Sequence, residues 1–390
     1  MKHRYIVLRG SRLETRDAFR GSSTILEAAA SEVKAQVEEL ESRDVAALAR
    51  EADVVAVAPA MPMRLIAPRD VHEPDAAQAA DPAWGVKAVK ADTSPFTGVG
   101  VTVAVLDTGI DAKHPAFDGV VLVQKDFTGE GDGDAEGHGT HCAGTIFGRR
   151  IGGVRIGVAP GVTRALIGKV LGQSGGSSEQ IVRAIQWAAE NGAHVISMSL
   201  GIDFPGLVKK MIEEEGLPPD LATSRALEGY RSNVQLFERL ASLIRARAQA
   251  TLLVAAAGNE SRRDVDSRYE ISVSPPAVSE GIISVAAVGN GPGGLSIADF
   301  SNTGARVCGP GVEILSAKSG GGWVMMSGTS MATPHVAGVA ALWAEKIRRK
   351  GPLTSSQLAA RLEGNANSDA MRAGYDPADI GAGLVMAPQA

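Results

Sequence analysis

The 390-residue chain is poor in cysteine, with two, poor in aromatic residues, at 4%, and without an excess of positive charge: 39 Lys and Arg stand against 44 Asp and Glu, a formal net charge of -5. Cys142 and Cys308 are too few for a disulfide framework, and each has small or apolar neighbours, where a thiol serves as a small hydrophobe. Lacking a basic stripe, the chain lacks the electrostatic footprint of a nucleic-acid binder. No apolar run approaches ~18 residues, so no membrane-spanning helix is expected. The opening Met1-Lys2-His3-Arg4 leads only to Tyr5-Ile6-Val7-Leu8 before Arg9, too short for a signal-peptide core. The sequence as it stands is therefore expected to be cytoplasmic, or secreted if a leader preceded it.

What the chain has instead is glycine, 46 residues, and short apolar runs of strand length, the profile of an α/β protein. Residues 1–70 read as a small α+β module. Tyr5 to Leu8, Val33 to Val37 and Val54 to Ala58 are strands, and Ser42 caps a short helix to Arg50. Residues 71–83, polar and alanine-rich after the prolines of 59–68, read as a linker that could be cut. From residue 84 to 390 strands and helices alternate, which implies right-handed crossovers and a predominantly parallel sheet flanked by helices. Residues 203–250 interrupt this pattern. Leu227, Tyr230, Val234, Phe237, Leu240 and Ile244 recur there at helical spacing, an apolar stripe that serves either core packing or a partner.

Several residues stand where chemistry usually stands. Asp107 follows the buried run Val101 to Leu106, at a strand's carboxyl end, and Asn259 ends the run Thr251 to Ala257 in the same way. His138 lies between two glycines, which points to something approaching it closely. His141, one turn on, lacks the glutamate and cysteines a zinc motif needs. Ser330 follows Gly328-Thr329 and precedes a long apolar run, so it reads either as a nucleophile at a helix start or as part of an ordinary capped helix. Pro334 is expected in the first turn, where its missing N–H costs nothing.

Jointly, Asp107-Thr108-Gly109, His138-Gly139-Thr140-His141, Ala256-Ala257-Gly258-Asn259 and Gly328-Thr329-Ser330-Met331-Ala332-Thr333-Pro334-His335 resemble the blocks of the subtilisin family of serine peptidases, in that family's order of Asp, His and Ser. The resemblance runs from about Trp84 to Val385. It implies a three-layer α/β fold and cleavage of polypeptides. Ser330 would be the nucleophile, His138 the base, Asp107 its orienter, and Asn259 with the Ser330 N–H the oxyanion donors. A substrate strand would lie between Gly172, Ser174 and Gly175 on one side and Ser199, Leu200 and Gly201 on the other, with Ala257 and Gly258 lining the cleft. The loop Glu260 to Ser274 would border the pocket for the residue before the scissile bond.

The N-terminal module is similar to the family's inhibitory propeptide, with Val54 to Ile66 in the position that occupies the cleft and processing between Arg64 and Asp81. Residues 11–30 depart from that pattern by offering no first helix. Cys142 resembles the free thiol of the proteinase K-like branch. No cofactor is implied as required; calcium is compatible with the family, but the loop Gly148 to Gly153 offers arginines where a tight site needs oxygen ligands. An unperturbed imidazole would make activity fall as pH drops through about 6.5. Three rivals share these residues or bypass them: an inactive binding fold, a transamidating enzyme, and a docking function in residues 203–250.

Overall fold

The computed structural model describes residues 2–10, 34–74 and 81–390. The expected missing helix in 11–30, Val33, and residues 75–80 of the linker lie outside the described residues. At the N-terminus β1 (His3–Arg9), β2 (Lys34–Leu40), α1 (Ser42–Leu48) and β3 (Val54–Pro59) form a small antiparallel sheet of order β2-β1-β3. Alternation in β1 divides its side chains between two cores. Val7 packs with Leu48 and Val54 under α1, while Ile6 and Leu8 join the core of the main body. Ser42 is not the helix cap: Glu41 holds that position, with no side-chain capping bond.

The chain then forms β4 (Pro62–Leu65) and β5 (Asp70–His72), so the start of the expected linker is a strand. Next come α2 (Trp84–Ala88), β6 (Thr102–Asp107), β7 (Val121–Asp126), α3 (His138–Phe147), β8 (Arg150–Ile151), β9 (Val154–Arg155), β10 (Arg164–Lys169), β11 (Gly176–Ser177) and α4 (Ser178–Glu190). They are followed by β12 (Val195–Met198), β13 (Leu200–Ile202), α5 (Phe204–Glu213), α6 (Pro219–Arg245), β14 (Leu252–Ala256) and β15 (Ile282–Gly291). The remainder is β16 (Gly294–Ile297), β17 (Val307–Pro310), β18 (Ile314–Ala317), β19 (Trp323–Ser327), α7 (Thr329–Arg348), α8 (Ser355–Gly364) and the short α9 (Pro377–Ile380).

Apolar runs buried on both faces build the centre of the main sheet, of order β16-β15-β14-β12-β6-β10-β7 with β17 beside β15, parallel throughout except for β16, and its edge strands β7 and β16 are only partly buried. Helix α7, buried from Thr329 to Glu345, runs through the centre of one layer.

The stripe expected in 203–250 is rotated along α6. Phe237, Leu240 and Ile244 are buried, but Leu227 is 49% exposed, and Ala222, Ala226, Gly229 and Asn233 are buried in its place. Gly229 and Asn233 bring α6 against the segment that follows the N-terminal sheet. A Cβ on Gly229 would lie 3.3 Å from Met61 Sδ, and Asn233 Nδ2 donates to the Pro59 carbonyl at 2.8 Å.

Candidate active site

Strand β6 ends on Asp107, which is 1% exposed. Its Oδ1 accepts from Thr108 N at 2.8 Å and from His138 Nδ1 at 2.7 Å. His138 is the first residue of α3, whose cap Gly137 has φ 83°, a left-handed conformation glycine adopts without steric penalty. The close approach expected of the flanking glycines is made by the aspartate turn itself: a Cβ on Gly139 would lie 2.2 Å from the Gly109 carbonyl oxygen.

Asp134, which the sequence does not mark out from its Gly-Asp-Gly-Asp surroundings, joins these two elements. Its buried carboxylate accepts from Thr108 Oγ1 and Gly137 N through one oxygen, both at 2.8 Å, and from Thr140 N and Oγ1 through the other, at 2.8 and 2.6 Å. Burial, the largest single influence, pushes the His138 imidazolium down, but the Asp107 carboxylate and, after it, Cys142 together raise His138 well above the ordinary 6.5. His141 is lowered to about 3 by burial, and its Nε2 meets the Ile314 carbonyl at 2.9 Å, a structural contact.

Ser330 is the second residue of α7, buried, with Asn259 across the cleft. Thr329 fixes the orientation of that carboxamide: its N–H and its hydroxyl both donate to Asn259 Oδ1, at 2.9 and 2.8 Å, so Nδ2 is aimed outward into the cleft. Pro334 lies inside α7 and not in its first turn. It lacks the N–H that would bond the Ser330 carbonyl four residues back. That carbonyl accepts instead from Cys142 Sγ at 3.4 Å and Ser199 Oγ at 3.3 Å, which accounts for a thiol beside the site. Asp107, His138 and Cys142 are the one group of potential metal ligands that converges among the described residues, and the imidazole Nδ1 and the thiol are already engaged as described.

The cleft holds part of the chain itself. Strand β4 is the middle strand of the three-stranded order β11-β4-β13, antiparallel to both neighbours. Leu65 pairs with Leu200 and Arg64 with Gly201, Ile66 N donates to the Ser199 carbonyl at 3.3 Å, and further on Arg69 N donates to the Ser327 carbonyl at 2.7 Å before β5 pairs with β19. Between these anchors Ser330 Oγ donates to the Ile66 carbonyl at 2.7 Å, while Asn259 Nδ2 donates to the next carbonyl, Ala67, at 2.9 Å. His138 Nε2, buried, has no hydrogen-bond partner among the described residues, because the serine proton is directed at the Ile66 oxygen.

The other expected substrate contacts divide. Ser199, Leu200 and Gly201 flank the cleft strand, but on the opposite side the pairing residues are Gly176 and Ser177. Gly172 and Gly175 close a tight turn on each other, and Gly175 comes near the segment only where a Cβ would meet the Met63 carbonyl at 2.8 Å. Ser174 borders an open groove with Gly175 and Gly176. Ala257 and Gly258 give their backbone groups to Val285, Ser274, Asn302 and Thr329 and make no hydrogen bond to the cleft segment.

A buried carboxylate-bound imidazole, a serine at a helix start and an aimed carboxamide thus gather at the carboxyl edge of a parallel α/β sheet, an arrangement compatible with a serine hydrolase. Residues 98–382 match the subtilase family, and the chain belongs to that family and is a serine endopeptidase. It is 34% identical over 295 residues to the intracellular serine protease of Paenibacillus polymyxa, covering 69% of this chain and 78% of that one. To subtilisin DY of Bacillus licheniformis it is 34% identical over 293 residues, covering 73% and 91%. Its fold is similar to that of fervidolysin from Fervidobacterium pennivorans, with a TM-score of 0.66 at 22% identity over 99% of this chain and 60% of that one. Among the described residues no helix is long and apolar enough to cross a membrane.

Proposed function

We propose that the chain is a peptidase zymogen in which Asp107, His138 and Ser330 carry out acyl transfer and residues 1–70 form the inhibitory module of the catalytic part, 84–390. Ser330 Oγ attacks the scissile carbonyl as His138 Nε2 takes its proton and later delivers it to the leaving amine; water then cleaves the acyl-enzyme by the same route. Asp107 holds the imidazole with Nε2 free to accept, and Asn259 with the Ser330 N–H stabilises the oxyanion.

The observation that carries this reading is the strand Pro62–Leu65 lying across the cleft with the Ser330 hydroxyl 2.7 Å from the Ile66 carbonyl oxygen. It also supports inhibition. Attack requires nucleophile and oxyanion donors to converge on one carbonyl. Here the hydroxyl addresses Ile66 and the carboxamide addresses Ala67, so the segment fills the site one carbonyl out of register. Processing within 64–81 frees the cleft.

In this reading no calcium is needed near the loop 148–153. Arg149 donates there to the carbonyls of Asp118, Phe147, Pro160 and Val162, so a fixed guanidinium takes the oxygens a cation would need, and these residues do not fit one.

The test is Ser330→Ala in the full chain. The variant is expected to fold, to hydrolyse no peptide, and to remain a single uncut species by mass spectrometry. Peptide turnover equal to that of the native chain would refute the assignment.

A further inference from the structure

We infer that the cleft selects a basic side chain at the position paired with Gly201, two residues before the one that enters the pocket beside Ser199, through the carboxylates of Asp203 and Glu260. This rests on the reading of the cleft as a peptide-binding site.

In the cleft strand that position is Arg64. Its guanidinium lies between two carboxylates, Nη1 at 3.1 Å from Asp203 Oδ1 and Nη2 at 2.9 Å from Glu260 Oε1. Both acids are held by contacts independent of the arginine. Asp203 caps α5 by accepting from Gly206 N at 3.1 Å, and its carbonyl accepts from Leu207 N at 3.0 Å. Glu260 Oε2 accepts from Asn302 Nδ2 at 2.8 Å.

The carboxylates therefore stay in place when the N-terminal segment leaves, on either side of the strand position where a substrate side chain points outward. The mixed charges of the loop after Glu260 do not cancel them. Arg262 lies over the Tyr269 ring, Arg263 is turned inward to Asp379 and Glu270, and Arg268 pairs with Asp266. At the neighbouring strand positions Met63 and Ile66 are buried and apolar, so the cleft reads as apolar, basic, apolar, apolar from Met63 to Ile66.

The pairs are partly exposed, with Arg64 at 44%, Asp203 at 28% and Glu260 at 36%, so each contributes modestly. Two of them acting on one guanidinium favour it by roughly tenfold over an uncharged side chain of similar length. The test uses the full-length chain after self-processing, with active serines counted by a sulfonyl fluoride. Its substrates are acetyl-Met-Xaa-Leu-Ile p-nitroanilides in which Xaa is Arg, Gln or Glu.

The expected order of kcat/KM is Arg, Gln, Glu, with Arg over Gln by roughly tenfold and the preference gone in Asp203→Asn/Glu260→Gln, a variant that keeps the α5 cap and the Asn302 contact. Equal kcat/KM for Arg and Gln peptides would overturn the inference, whereas a chain that turns over none of the three fails at the underlying peptidase reading. An independent arm needs no turnover. In the Ser330→Ala chain, Arg64→Gln is expected to speed hydrogen exchange at the Met63 to Ile66 amides, and unchanged exchange would also overturn the inference.

Discussion

Deleting Pro68, which leaves the Ile66–Ala67 bond an ordinary peptide bond, should turn the segment that blocks the cleft into a substrate. The native chain spans from the Ile66 anchor on Ser199 to the Arg69 anchor on Ser327 with Ala67 and Pro68 between them, and it presents two successive carbonyls to the hydroxyl and the carboxamide. Removing one residue shortens this span by about 3.3 Å of extended chain, the spacing of successive residues. The Ile66 carbonyl is then the one that both groups can reach. Recovering a single oxyanion donor corresponds to about 3 kcal/mol of transition-state stabilisation, roughly a hundredfold in rate. The assay is intact-mass spectrometry over time on freshly purified chains, with the deletion in a Ser330→Ala background as a folding control by circular dichroism. If the deleted, folded chain is cut after Ile66 no faster than the native chain, the out-of-register account of inhibition is refuted.

Other perturbations test the supporting structure. The pH profile follows from the direction of the His138 shift: Asp107 favours the protonated imidazole, whereas the base must be neutral, so kcat/KM should climb with pH through a midpoint above the 6.5 of a free imidazole, and Asp107→Asn should lower that midpoint as well as the rate. A midpoint unmoved in Asp107→Asn would remove the carboxylate as the cause. Asp134→Ala leaves the donors of Thr108, Gly137 and Thr140 without their acceptor, and should cost about 3 kcal/mol in urea unfolding and more than tenfold in kcat at temperatures where it stays folded; native kcat would show that Asp134 does not position the imidazole. Chelator should leave the melting temperature unchanged, since the Arg149 guanidinium occupies the carbonyls of Asp118, Phe147 and Val162 beside the loop 148–153, and a drop of many degrees would reveal a bound cation.

The parts of the site legible in the sequence were those whose local signal survives without neighbours. Asp107 and Asn259 end buried apolar runs, and His138 and Ser330 open helices beside glycines, so strand and helix grammar places all four. Asp134 was not legible, because an aspartate among glycines looks like any turn residue until folding brings Thr108 and Thr140 around it. Thr329 was hidden in the same way, its role depending on an amide 70 positions away. Pro334 was misjudged on a local rule: a proline inside a helix is costly unless something else satisfies the freed carbonyl, and Cys142 and Ser199 do so from distant elements. Period alone marks the stripe in α6, and the burial of Gly229 and Asn233 has a cause visible only once Pro59 and Met61 are packed beside them.

That packing ties maturation to the insertion. The Gly229 and Asn233 face of α6 is a seat shaped for Met61 and the Pro59 carbonyl. On the proposed zymogen reading, departure of the module would leave Asn233 Nδ2 with the Gly229 carbonyl in place of the Pro59 one and would wet the apolar surface beside Gly229, which favours recapture of the module over free dissociation. On that reading, the onset of activity after cleavage would depend on how fast the severed piece is destroyed as well as on the cut, with α6 setting the delay.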